Sequence, residues 1–126
     1  MPDPVQQKPA AAISVRVDLA SSGRLGPGKI DLLEAIEETG SISGAGRSMK
    51  MSYRRAWLLV DDLNHMFRQP LVEASTGGAN GGGAHLTPMG REVVAHYRAI
   101  ESKALKAASL HIEALREAAA EPAPAS

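Results

Sequence analysis

Two stretches combine residue types and spacing that can do chemistry. The first is Ser52-Tyr53-Arg54-Arg55-Ala56-Trp57, where two adjacent arginines follow a serine able to cap a helix. A guanidinium stays charged at any ordinary pH and presents a rigid fork of donors, suited to carboxylate, phosphate or the edge of guanine. The second stretch, "ASTGGANGGGAHLTPMG" over 74–90, has five glycines among the seven positions from Gly77 to Gly83. Such a run serves as a phosphate cradle, a flexible linker or the tip of a tight hairpin.

Catalytic chemistry finds little support. The glycine run lacks the lysine of a phosphate-binding loop. Asp61 and Asp62 are neighbours on a helix, so they point apart and make a poor acid/base pair. His65, His85, His96 and His111 show no paired metal-ligand spacing, and with zero cysteines there is no thiolate site or disulfide framework. No enzyme activity, metal or cofactor is expected.

The chain has 126 residues, 44% of them hydrophobic, which suits one modest core. Formal net charge is zero, from 14 basic and 14 acidic residues. The distribution is uneven. Between Gly40 and Val60 stand Arg47, Lys50, Arg54 and Arg55 with no acid, flanked by Glu34, Glu37 and Glu38 on one side and Asp61 and Asp62 on the other. On charge alone, a short DNA-contacting surface and a solvated helix face fit equally well. No apolar run follows a basic N-terminal segment and none has the length of a membrane span, so a cytoplasmic protein is expected.

The elements that must position these residues read as follows. Residues 1–12 and 120–126 are Pro/Ala-rich and expected to be disordered tails. "ISVRVDL" (13–19) alternates with period two and predicts a strand, followed by a turn in "SSGRLGPG". "KIDLLEAIEETG" (29–40) predicts a helix burying Ile30, Leu32, Leu33 and Ile36, with Gly40 as its stop. A short helix follows, capped by Ser41 or Ser43 and burying Ile42, Ala45 and Met49. Ser52 caps a third, with Ala56, Leu59, Val60, Leu63 and Phe67 on its apolar side. Arg54, Leu58, Asp61, Asp62 and His65 fall opposite, with Arg55 at the edge. "LVEAS" and "AHLT" predict short strands on either side of the glycines, and Pro88 opens a helix running to about 119. Its stripe of Val93, Tyr97, Ala104, Leu105, Ala108, Ile112, Leu115 and Ala119 is too long for a domain of this size to cover. A second copy is the simplest cover, with Val93, Tyr97, Leu105, Ala108, Ile112 and Leu115 as the expected dimer interface.

Two short helices joined by a tight turn make a helix-turn-helix. The expected fold is α+β, mainly α. It is a winged helix-turn-helix over 13–87 with a small three-stranded antiparallel sheet, followed by a long dimerisation helix over 88–119. A helix in the major groove reads bases through its first turns, which gives Arg54 and Arg55 the reading role. Ser52 and the helix start suit a phosphate; Arg47 and Lys50 suit backbone phosphates. Tyr53 fits either job or packing beside the preceding helix. Leu58 fits a thymine methyl or a partner surface. Trp57, in a chain with 3% aromatics, reads as a core or packing residue rather than a stacking platform.

"TGSISGAGRSMKMSYRRAWLLVDDLN" and "VEASTGGANGGGAHLTPMG" together resemble the N-terminal DNA-binding domain of the molybdate-responsive ModE family of bacterial regulators, a winged helix of the LysR type, over about 13–105. The resemblance implies a homodimer on an inverted-repeat operator in double-stranded DNA. It makes the Ser52–Arg55 turn the base reader and the hairpin 75–85 the wing, with Thr76, Gly77, Gly78 and Asn80 contacting DNA. Three departures stand out. The family continues into a molybdate-binding pair of small β-barrels where this chain has a helix and a Pro/Ala tail, so molybdate sensing is not expected to carry over and any effector is unknown. Lys50 stands where the family has glycine in the turn, and Ala79-Asn80 where relatives carry a basic wing residue. A winged helix that binds a partner protein, or a regulator answering a small oxyanion at the dimer interface, remains an alternative.

Overall fold

In a computed structural model, which describes residues 12–75 and 83–120, the predicted stops and caps fall where the local chemistry places them. Helix α1 (Pro27–Thr39) has proline in its first turn and ends at Gly40, whose left-handed φ of 76° lets its N–H donate to Ile36 O at 2.8 Å. Helix α2 (Ile42–Ser48) is capped by Ser41, not Ser43, and helix α3 (Tyr53–Met66) by Ser52. The hairpin strands β3 (Val72–Ser75) and β4 (Gly83–Leu86) follow, then helix α4 (Pro88–Ala118).

Ile30, Leu32, Leu33 and Ile36 of α1 form the centre of the core, closed by Ala45, Ala56, Val60 and Leu63 from the next two helices. Leu25, Leu71, the hairpin residues Val72, Ala84 and Leu86, and Val93 and Tyr97 of α4 pack around it. Met66 is buried at the end of α3, while Phe67 leaves the helix in an extended conformation and is only half-buried.

The sheet differs from expectation. In place of three strands there are two separate antiparallel pairs: β1 (Val17–Asp18) with β2 (Arg24–Leu25), and β3 with β4. The N-terminal strand finds its partner locally. Leu19 N–H donates to Gly23 O at 2.8 Å, Gly23 takes a φ of 123°, and the chain reverses within "SSG" to pair Val17 with Leu25. Upstream, the Val15 carbonyl accepts from the Tyr97 hydroxyl at 2.7 Å, so this backbone is tied to α4 rather than to the hairpin.

The hairpin is held to the helices at both ends. Ala84 N–H donates to Gly40 O at 2.8 Å, joining β4 to the corner between α1 and α2. At the other end Thr87 N–H donates to Leu71 O, and the Thr87 hydroxyl donates to Pro70 O while accepting from Gly90 N–H. A Cβ at Gly90 would lie 2.2 Å from Leu71 O, so only glycine permits this approach. α4 is locked to α1 by Arg98, which bonds Glu34 at 2.7 Å, Asp31 at 2.9 Å and Glu101 at 2.8 Å. The hydrogen bond to Glu34, ahead of the others, raises the Arg98 pKa further above its ordinary value.

Candidate nucleic-acid interface

The short segment from Ser41 to Leu58 is built so that one helix end stands free. Ser41 Oγ accepts from Gly44 N–H at 2.7 Å and starts α2. Gly46 then lets α2 sit directly against α3, since a Cβ there would be 3.2 Å from the Ala56 Cβ. Between the helices Lys50 takes a φ of 57°, and Met51 N–H donates back to Gly46 O at 2.9 Å. The turn therefore requires a left-handed residue at the position where the resemblance expects glycine, and lysine is held there under mild strain. Ser52 Oγ accepts from Arg55 N–H at 3.1 Å, fixing the first turn of α3.

That turn projects Tyr53, Arg54 and Arg55 into solvent, with Trp57 and Leu58 on the next. Lys50, Arg54 and Arg55 make no side-chain hydrogen bond or ion pair with any described residue. Four other cations are neutralised: Arg98 as above, Arg91 by Glu37 at 2.8 Å, Lys29 by Asp62 at 2.9 Å and Arg24 by Asp18 at 2.9 Å. Arg47 is exposed and its Nη1 donates to Ser43 Oγ at 3.1 Å, along α2. Arg55 also faces a cleft lined by Arg16 and by the carboxylate-paired Arg24 and Lys29 beside the start of α1, a grouping that no linear spacing displays.

Trp57 is not a core residue. It is 46% exposed, and its indole Nε1–H donates to Tyr53 Oη at 2.6 Å. On the helical wheel it falls between the buried line of Ala56, Val60 and Leu63 and the outward line of Arg54 and Leu58. Together Tyr53 and Trp57 edge an open groove of about 430 Å³ between α3, the start of α2 and the hairpin stem.

Asn64 is a positioning residue that the sequence reading passed over. Its Oδ1 accepts from Leu71 N–H at 2.8 Å and Val72 N–H at 3.0 Å, and its Nδ2 donates to Val72 O at 3.1 Å, fastening the hairpin to α3. The signal was available: a polar amide four residues after Val60, on the apolar phase of the helix. The hairpin stem carries a cross-strand contact between Ser75 Oγ and His85 Nδ1 at 2.8 Å, with Glu73 opposite His85. Thr76, Gly77, Gly78 and Asn80 lie outside the described residues.

Two members of the expected dimer stripe are redirected. Val93 and Tyr97 are 7% and 1% exposed, packed into their own chain's core where α4 meets α1 and β4 and where the Tyr97 hydroxyl reaches the Val15 carbonyl. Leu105, Ala108 and Ile112 are half-buried by their helix neighbours and Leu115 is 72% exposed. Among the described residues no group of three His, Cys, Asp or Glu could hold a metal ion, and no helix is long and apolar enough to cross a membrane.

A short capped helix, a left-handed turn and a second capped helix with open arginines at its start, flanked by a clamped hairpin, define a winged helix-turn-helix domain. Residues 28–91 match the bacterial regulatory helix-turn-helix proteins of the lysR family, and the chain belongs to that family. The resemblance drawn from "GSIS", "SYRRAW" and the glycine hairpin is matched by named relatives. The chain is 42% identical over 102 residues to the molybdenum-pterin-binding protein MopA of Rhodobacter capsulatus, covering 81% of this chain and 38% of that protein. It is 43% identical over 91 residues to the molybdenum transport protein ModE of Azotobacter vinelandii, covering 72% and 33%. The DNA-binding transcriptional dual regulator ModE of Escherichia coli K12 is 39% identical over 71 residues, covering 56% and 27%. The chain thus spans roughly a third of the length of these relatives.

Proposed function

We propose that this chain is a sequence-specific double-stranded-DNA-binding transcriptional regulator, acting in the cytoplasm as a homodimer on an inverted repeat. α3 enters the major groove and the β3–β4 hairpin serves as the wing. The observation that carries the reading is the first turn of α3: Arg54 and Arg55 stand exposed and unneutralised on a Ser52-capped helix start while Arg24, Lys29, Arg91 and Arg98 all have carboxylate partners. Open guanidiniums on a fixed helix end suit guanine O6 and N7, and Lys50 in the preceding turn suits a phosphate. The Escherichia coli relative is named a DNA-binding transcriptional dual regulator, which supports the same partner. The role is binding rather than catalysis, and it calls for no cofactor.

Selection of bound duplexes from a random pool tests it. An inverted repeat should be enriched. Arg54→Ala or Arg55→Ala should then lose ~1–3 kcal/mol of discrimination at one base pair of each half-site. Lys50→Ala should weaken binding to all sequences alike and lower the salt slope by about one. A pool that enriches nothing at low salt sinks the reading.

A further inference from the structure

The aromatic pair on α3 has a polarity that determines what Tyr53 can do. An indole N–H only donates. In the 2.6 Å bond between Trp57 Nε1 and Tyr53 Oη, the phenol oxygen is therefore the acceptor. Its own O–H proton is left to donate elsewhere, and no described residue takes it. Tyr53 is 57% exposed and stands at the first position of α3, with Ser52 on one side and Arg54 on the other.

The direction of that donor separates it from the arginines. Arg54, Arg55 and Leu58 share a shallow surface on one flank of α3. Tyr53 and Trp57 line the other flank, in the groove that α3 forms with Ser41 and Ser43 of α2 and with the hairpin stem. On the reading of α3 as the helix that enters the major groove, its helix-turn-helix and wing flank runs beside the sugar-phosphate rim. The groove is continuous with the surface already assigned to DNA. Its aromatic wall suits a deoxyribose, and the free phenol proton beside it suits an acceptor-only oxygen. Glu73 closes the far rim at the hairpin, which leaves the Tyr53 end as the place for an anion.

We propose that Tyr53 donates its hydroxyl proton to one backbone phosphate oxygen per half-site, and that Trp57 is the positioning residue that makes it a donor. The inference rests on the regulator reading and adds a residue role to it. Trp57 contributes no base contact. Its indole N–H holds the phenol oxygen, fixes the ring and turns the remaining proton outward. Phenylalanine at Tyr53 keeps the ring and removes only the hydroxyl, while at Trp57 it keeps a smaller aromatic ring and removes the N–H donor; neither side chain is part of the buried core, so the fold is retained.

The test uses a duplex selected by the unaltered protein, with single phosphates replaced by neutral methylphosphonates. One position per half-site should weaken binding of the unaltered protein about tenfold, in keeping with a hydrogen bond to a charged group. The same substitution should cost Tyr53→Phe nothing further. Tyr53→Phe should lose about tenfold on specific and nonspecific DNA alike, with base preference intact and the salt slope unchanged, because no cation is removed. Trp57→Phe should lose less, and the double variant should bind no worse than Tyr53→Phe alone. A changed preference at a base pair would assign Tyr53 to base reading instead. Additive losses, or a methylphosphonate profile unaltered by Tyr53→Phe, would overturn the pairing. If the unaltered protein selects no sequence, the regulator reading falls first; if it selects one and Tyr53→Phe binds equally well, only this inference falls.

Discussion

Lys50 shows how one residue can be asked for two incompatible things. Its φ of 57° is a conformation in which glycine meets no Cβ penalty and lysine does, at roughly 1–2 kcal/mol. Glycine would gain entropy in the unfolded chain, which returns about 0.5–1 kcal/mol of that difference. Relief exceeds loss, so Lys50→Gly should raise unfolding stability by up to ~1 kcal/mol, read as a higher urea midpoint with unchanged slope. The same change deletes a cation beside the recognition turn and should weaken DNA binding and reduce its salt dependence. A variant both less stable and equally tight in binding would contradict the account. The left-handed requirement was legible only as a departure from the family pattern, because a single lysine in a sequence carries no sign of its φ. Trp57 was misread for a related reason. Its type argues for burial, and only its phase between the two helix faces leaves it half in solvent.

At the scale of elements, caps and stops were well marked in the sequence. Gly40, Ser52 and Pro88 each bound a helix through local chemistry, and local chemistry is what a linear reading can weigh. What escaped it depends on distant partners: the tie between Ala84 N–H and Gly40 O, the Asn64 clasp on β3, and the N-terminal strand that pairs with Arg24–Leu25 instead of the hairpin. Just upstream of the last of these, Tyr97 ties the chain to α4, its hydroxyl holding the Val15 carbonyl at 2.7 Å. Burial, reinforced by Glu101, pushes the Tyr97 hydroxyl above its ordinary value of 10.0. The folded chain thus keeps this proton more firmly than the unfolded chain. The associated stability is whole below about pH 10 and is lost as pH rises through the folded-state value. Tyr97→Phe should lower stability near neutrality by ~1 kcal/mol for the lost hydrogen bond. Above pH 10 its stability should fall less steeply than that of the parent. Parallel urea-midpoint profiles between pH 7 and 11 would show that Tyr97 does not couple to the fold in this way.

The whole molecule has a long helix that its own domain only half uses. α4 runs 31 residues, yet its buried members are Gly90, Val93 and Tyr97, all within its first three turns. At 100° per residue the face that buries Val93 and Tyr97 continues through Ala104, Ala108 and Leu115, with Leu105 and Ile112 at its edge. Beyond Glu101 no other described element lies over that face. An isolated amphipathic helix end of this length is marginal in water, so a covering surface would stabilise it, and a second copy supplies the same stripe. The first half of the stripe thus serves the domain, and only its later members are open to a partner. Ile112→Glu or Leu115→Glu should therefore shift a dimer toward monomer in analytical ultracentrifugation while leaving the domain's unfolding midpoint close to the parent's. Because each half-site of an inverted repeat would then bind alone, affinity for the full repeat should drop by about 10²-fold or more, with single half-site binding unchanged. Val93→Glu should behave differently and unfold the domain, since it places a charge in the core that no described cation neutralises. Should Leu115→Glu stay dimeric and keep full affinity for the repeat, the open end of α4 is not the dimer surface, and the two recognition helices must be spaced by some other contact.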